Sequence, residues 1–301
     1  MKILIMGGSY FLGLCFTREA YRRGWEISLC NRGSRPLGIA GIREFVADRS
    51  DGAALERIPE ETYDAVVDFC AYRAGDLTFL LDHLKIRFRR YLLISTVDVL
   101  RRGTGRMLRE EDPFEERDFG GEAGAYILGK AALERELFRE AVERGFSGTV
   151  IRPGMIYGPG NYAPREAMYF HWIREAGQIL CPSDADGSFQ LVYVEDVAQA
   201  ICLCLEREES AGRVYHVCAP ERLTYDGFTE LLRRSLPPGS ADFTVVPLPV
   251  SEVLSRSLPL PFSLTAAESE TYDGSAIEAL GLRYTPHEEG MRKTWEAWSR
   301  V

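Results

Sequence analysis

Short apolar runs alternate with stretches of helical period through the first half of the chain. Lys2-Ile3-Leu4-Ile5-Met6 is apolar after its first residue, as a strand covered on both faces requires. Leu14–Arg23 has helical spacing, and strands are predicted at Glu26–Cys30, Arg43–Val46, Ala65–Asp68, Tyr91–Ile94 and Gly148–Ile151. Helices are predicted at Ala53–Ile58, Leu77–Leu84 and Ala123–Glu143, with an irregular, charged stretch over 101–122. Strand and helix in strict alternation predict a parallel sheet with right-handed crossovers.

The second half is less regular. Met155 to Asn161 reads as a loop, and helices are expected at Arg165–Ala176, Val197–Leu205, Tyr225–Ser235, Ser251–Ser255, Gly274–Ala279 and Glu288–Trp298. Strands are expected at Phe189–Val194, Val214–Val217 and Phe243–Val246. The proline-rich stretch from Pro247 to Pro261 reads as loop.

The strongest local signal is the turn Gly7-Gly8-Ser9-Tyr10-Phe11-Leu12-Gly13, between the first strand and the first helix. Strand, glycine turn and helix in that order make a phosphate cradle. Gly7 permits the sharp turn, Gly8 or Ser9 lets backbone N–H groups approach a diphosphate, and Gly13 lets helix pack on strand. The helix N-terminus then offers partial positive charge.

Composition narrows the partners. The chain has 301 residues, 46% of them apolar, and a net charge of −9. Such acidity disfavours nucleic acid. No apolar run is long enough to span a membrane, and no leader pattern is visible, so a cytoplasmic protein is expected. Seven cysteines without a Cys-x-x-Cys pair read as reduced thiols, and four scattered histidines show no metal-ligand spacing, so no metal is expected.

Two further features carry chemistry. Tyr126 and Lys130 lie four apart on the long predicted helix, hence on one face. A neighbouring ammonium favours the phenolate, so Lys130 is expected to lower the pKa of Tyr126 and fit it for proton transfer near neutral pH. Thr96 follows the carboxyl end of the fifth strand, the edge at which open parallel sheets bind ligands, with Ser95 beside it as a competing hydroxyl.

With these pieces the chain resembles the extended short-chain dehydrogenases/reductases, in the group of NAD-dependent epimerases/dehydratases. The matching pieces are Gly7 to Gly13, Asp48-Arg49, Phe69-Cys70-Ala71, Ile94 to Val99, Tyr126-x-x-x-Lys130, Arg152-Pro153-x-x-x-Tyr157-Gly158-Pro159 and Val194 to Ala198. They run in family order over about two-thirds of the chain. The resemblance implies an α/β fold: a Rossmann-type doubly wound parallel sheet with a smaller, discontinuous C-terminal substrate domain. Residues 1–155 would form the NAD(P)-binding domain, with about 188–206 and 240–248 returning to it, and 156–301 the remainder.

The resemblance also implies roles. Gly7, Gly8, Ser9, Tyr10, Phe11, Leu12 and Gly13 would line the diphosphate turn. Asp48 would bond the adenine amino group, with Arg49 beside it. Phe69, Cys70 and Ala71 would pass along the middle of the cofactor, and Pro153 would sit near the nicotinamide. Thr96, Tyr126 and Lys130 would be the catalytic set, Lys130 also holding the nicotinamide ribose. Tyr72, Tyr157, Asn161, Arg165 and Gln190 are the substrate candidates, with Tyr169 a looser one. Asn31-Arg32 ends the second strand where NAD-specific sites often carry an acid, so NADP is favoured over NAD.

The expected activity is that of an NAD(P)-dependent epimerase or reductase of a nucleotide sugar or related alcohol or ketone, with a homodimer as the candidate assembly. Three departures qualify it. Tyr10 replaces a glycine, as in an atypical branch similar to plant chloroplast proteins that bind RNA. Val97-Asp98 stands where sugar dehydratases carry Asp-Glu, and Leu100 where the family commonly has tyrosine. The alternatives are a non-catalytic NAD(P)-binding or RNA-binding relative and a reductase of a non-sugar ketone.

Overall fold

A computed structural model describes residues 1–163 and 165–300. In chain order the first half comprises β1 (Lys2–Met6), α1 (Phe11–Arg22), β2 (Glu26–Asn31), β3 (Arg43–Val46), α2 (Gly52–Leu55), β4 (Thr62–Asp68), α3 (Asp76–His83), β5 (Arg87–Ile94), β6 (Met107–Leu108), α4 (Gly121–Arg144) and β7 (Ser147–Pro153). The second half comprises β8 (Met155–Tyr157), α5 (Glu166–Ala176), β9 (Gln178–Pro182), β10 (Leu191–Tyr193), α6 (Val194–Glu206), β11 (Val214–Val217), α7 (Tyr225–Ser235), β12 (Thr244–Leu248), α8 (Val250–Ser255), β13 (Thr271–Tyr272), α9 (Ser275–Leu280) and α10 (His287–Trp298).

Seven strands form one parallel sheet in the order β11-β7-β5-β4-β1-β2-β3. The order reverses at β1, where an open α/β sheet leaves a crevice at its carboxyl edge. Alternate residues of β1 feed opposite cores. Ile3 and Ile5 pack with α1 and α6 on one face, and Leu4 and Met6 with α2, α3 and α4 on the other. All four are almost wholly buried, which explains the unbroken apolar run.

The sheet corrects two expectations about returning segments. Leu191–Tyr193 pairs with β8 in a separate two-stranded sheet, and only the helix after it, α6, comes back to pack on α1. Thr244–Leu248 pairs with β9, not with the main sheet. The late strand that completes the main sheet is Val214–Val217. Met155–Tyr157, expected as loop, is a short strand.

Candidate active site

The glycine turn is built by close contact. Gly7 and Gly8 have φ of +93° and +85°, values that favour glycine. A Cβ on Gly8 would stand 2.5 Å from Leu29 Cδ1, and one on Gly13 would stand 2.7 Å from the Gly8 Cα. Thr17, one turn further along α1, donates to the carbonyl oxygens of Gly8 (2.9 Å) and Gly13 (2.8 Å), fastening helix to turn. Phe11 opens α1 with a φ of +40°, a strained value for a residue with a side chain.

Beside this turn lies a cavity of about 670 Å³ along the carboxyl edge of the sheet. It is lined by Gly7 through Gly13, Arg32, Phe69, Cys70, Tyr72, Thr96, Tyr126, Lys130, Pro153, Asn161, Arg165 and Gln190, all anticipated from sequence. The cradle suits a dinucleotide diphosphate, because side-chain-free Gly8 and Gly13 let α1 close on the turn and bring its N-terminus to the cavity.

Helix α4 approaches the sheet edge through Gly129, where a Cβ would meet the Tyr72 carbonyl oxygen at 2.3 Å. That approach carries Tyr126 and Lys130 to the cavity. Lys130 is 2% exposed. Its ammonium donates to the Ile94 carbonyl at 2.7 Å and lies 4.6 Å from the Tyr72 ring centroid and 5.9 Å from that of Tyr126. Burial lowers its pKa to about 8. Thr96 Oγ1 donates to Asp98 Oδ2 at 3.1 Å and accepts from the Asp98 backbone N–H, capping a short 3-10 turn.

The expected lowering of Tyr126 by Lys130 is corrected. Burial and the Asp98 carboxylate raise the Tyr126 phenol above its ordinary value, while the neighbouring Thr96 hydroxyl works the other way. The ammonium donates to the Ile94 carbonyl, 5.9 Å from the Tyr126 ring centroid, and does not outweigh the burial of the phenol. Ser95, the competing hydroxyl, is buried and donates to Glu134. Glu134 also forms a buried ion pair with Arg152 at 2.7 Å, tying α4 to β7. This network escaped the sequence reading, since it joins charges from distant segments.

Several anticipated residues stand outside the cavity lining. Arg49 turns inward and pairs with the buried Asp68 at 2.9 Å. Burial opposes the charge of Asp68, but Arg49 and the Tyr91 hydroxyl hold its carboxyl below its usual value. Ala71 is wholly buried, its N–H donating to Asp68 Oδ1 at 3.1 Å. Asp48 is exposed and accepts from Ser50. Asn31 accepts from Gly33 N–H at 2.7 Å, and its buried Nδ2 has no partner among the described residues.

Tyr157 is corrected from a substrate residue to a packing one. Its ring packs on Tyr193 and its hydroxyl reaches His287 Nδ1 at 3.4 Å. Gly290 makes the room: a Cβ there would lie 2.2 Å from that hydroxyl. Tyr169 is buried among Trp172, Phe228 and Phe262. Gln190 reaches the cavity with its amide already engaged by Ala219 and Tyr272 backbone groups.

Other lining residues were missed. Asp98, absent from the site residues expected from sequence, lines the cavity and pairs with Arg102, which lines it too. Glu268, Glu270 and Tyr272 come from a tail segment without periodicity. Tyr162 adjoins Asn161 in the loop already assigned to substrate, and that adjacency was the available signal.

A parallel sheet reversing at a glycine cradle defines the class of Rossmann-type dinucleotide-binding folds. Within that class the chain belongs to the NAD dependent epimerase/dehydratase family, whose model matches residues 3–218. It is 27% identical over 244 residues to the chloroplast stem-loop binding protein of 41 kDa b of Arabidopsis thaliana, covering 76% of this chain and 61% of that protein. It is 27% identical over 171 residues to cinnamoyl-CoA reductase 1 of Petunia hybrida, covering 56% of this chain and 46% of that one. The chain thus matches less than two-thirds of the length of either relative. Its fold is that of UDP-glucose 4-epimerase from Thermotoga maritima, solved with UDP-glucose, at a TM-score of 0.77 and 18% identity, covering 100% of this chain and 99% of that one. Among the described residues no helix is long and apolar enough to cross a membrane.

Proposed function

We propose that the chain is an NADP-preferring epimerase or reductase of a nucleotide sugar or a related alcohol or ketone. The observation that carries this reading is the convergence of Thr96, Tyr126 and Lys130 on the same cavity as the glycine turn. Residues 7 to 13 would hold the diphosphate, Phe69, Cys70 and Pro153 would flank the middle and nicotinamide end, and Arg32 would meet a 2′-phosphate. The dinucleotide, when bound, supplies or accepts hydride.

The rest of the chemistry falls to this chain's side chains. With its pKa raised, the Tyr126 phenol keeps its proton at neutral pH and is ready to give it to a carbonyl oxygen. Thr96 would bond the same oxygen and fix its orientation. Lys130, fixed by Ile94, would place its charge against the nicotinamide ribose. Asn161 and Arg165 would face the substrate from the loop between β8 and α5.

Epimerisation or reduction suits the site better than dehydration. Elimination of water needs an acid for the leaving hydroxyl and a base for the neighbouring proton. Val97 transfers none, and Asp98 is held by Arg102 and Thr96. Glu110 and Glu111 do not line the cavity, and Glu110 instead accepts from the His216 N–H. Glu268 and Glu270 line it but accept backbone N–H groups of Leu264 and Gly103. The net charge of −9 argues against a nucleic-acid partner. Incubation with NDP-hexoses and either dinucleotide, followed by product analysis, tests the reading. Epimers or oxidised NADPH support it; a 4-keto-6-deoxy sugar overturns it.

A further inference from the structure

Tyr10 stands in the glycine turn where the usual fingerprint has a glycine, and its ring is not idle. Tyr162, from the loop between β8 and α5, stacks on it with centroids 5.4 Å apart and planes 24° from parallel. The Phe11 ring meets Tyr162 edge-on at 5.9 Å. Arg35, from the segment after β2, lies 3.9 Å from the Tyr10 centroid. Three separate segments therefore converge on one aromatic stack. Tyr10, Phe11 and Tyr162 all line the cavity, so the stack joins its phosphate rim to its substrate rim.

The two tyrosines remain 43% and 68% exposed. Aromatic surface left open at a cavity mouth is surface that a ligand can cover. Phe11 holds its strained φ of +40° at the same place, its ring edge-on to Tyr162. A glycine at position 10 would offer no ring, and the two rims would part.

From this geometry we infer that Tyr162 belongs to the cofactor site: stacked on Tyr10, it forms a clasp across the diphosphate turn that slows release of the dinucleotide. The inference rests on the dinucleotide reading given above. The clasp acts on dissociation, because it must open before the diphosphate leaves, and it leaves the cradle itself unchanged.

Stopped-flow displacement of NADPH, followed by its fluorescence, tests this without any substrate. Tyr162→Ala and Tyr10→Gly should each speed release by about threefold to tenfold, the rate equivalent of one aromatic contact. The double variant should release little faster than either single one, since both remove the same contact. Tyr162→Phe, which keeps the ring, should release at the wild-type rate. Wild-type release from Tyr162→Ala, or fully additive effects in the double variant, would overturn the clasp alone. A wild-type protein that binds neither dinucleotide would overturn the cofactor reading and the clasp with it.

Discussion

The Lys130 ammonium donates to the Ile94 carbonyl oxygen at 2.7 Å, from a position one helical turn beyond Tyr126. The contact fixes a buried cation at the carboxyl end of β5, and burial lowers its pKa from 10.5 to about 8. Below about pH 8 the folded and unfolded chains both hold this proton, and the cost of burying the charge is constant. Between about 8 and 10.5 the unfolded chain binds more protons, so this group makes stability rise with pH across that window. The full rise amounts to roughly 3 kcal/mol. The difference in unfolding free energy between wild type and Lys130→Met, measured from about pH 7 to pH 10.5, should grow by that order. A difference flat with pH would contradict the buried, charged placement.

Tyr126→Phe removes the phenolic hydroxyl and leaves the ring that faces Tyr72. Dinucleotide affinity should stay within about twofold of wild type, since the cradle lies on α1, while turnover falls by a hundredfold or more, about the contribution of one general acid. Single-turnover kinetics on any substrate found by product analysis checks this. Near wild-type turnover would remove Tyr126 from the chemistry.

Arg32 lines the cavity, is exposed, and forms no salt bridge among the described residues. Its planar guanidinium suits a 2′-phosphate better than a 2′-hydroxyl. Arg32→Ala should weaken NADPH binding by about tenfold or more, as loss of a hydrogen bond to a charged group does, and leave NADH nearly unchanged. Equal losses for the two dinucleotides would contradict a phosphate role.

The first strand, turn and helix were legible because each obeys a local rule: unbroken apolar residues in β1, glycines at the turn, helical spacing in α1. The first half of β5 was not. Arg87 and Arg89 are exposed at the sheet's amino edge, and Arg90 is buried by bonds to the Leu205 and Arg207 carbonyls, so three arginines hid a strand. Arg49 reads as a ligand residue in sequence, and only the fold brings Asp68 beneath it. Tyr157 reads as a substrate residue, and only the distant Gly290 opens the space that turns it inward. Side chains whose direction depends on a remote partner carry no local signature.

Gly13 offers the most direct test of the central claim, that the glycine cradle binds a dinucleotide. A side chain there would press on the Gly8 backbone, with Cβ 2.7 Å from Cα and 2.9 Å from N. Such overpacking costs about 1–3 kcal/mol and displaces the N–H groups aimed at the diphosphate. Calorimetric titration of NADPH into wild type and Gly13→Val, with circular dichroism to show that both are folded, is the measurement. Saturable binding to wild type, lost in a folded Gly13→Val, is the predicted result. Absence of binding to wild type, or unchanged affinity in the variant, would contradict it.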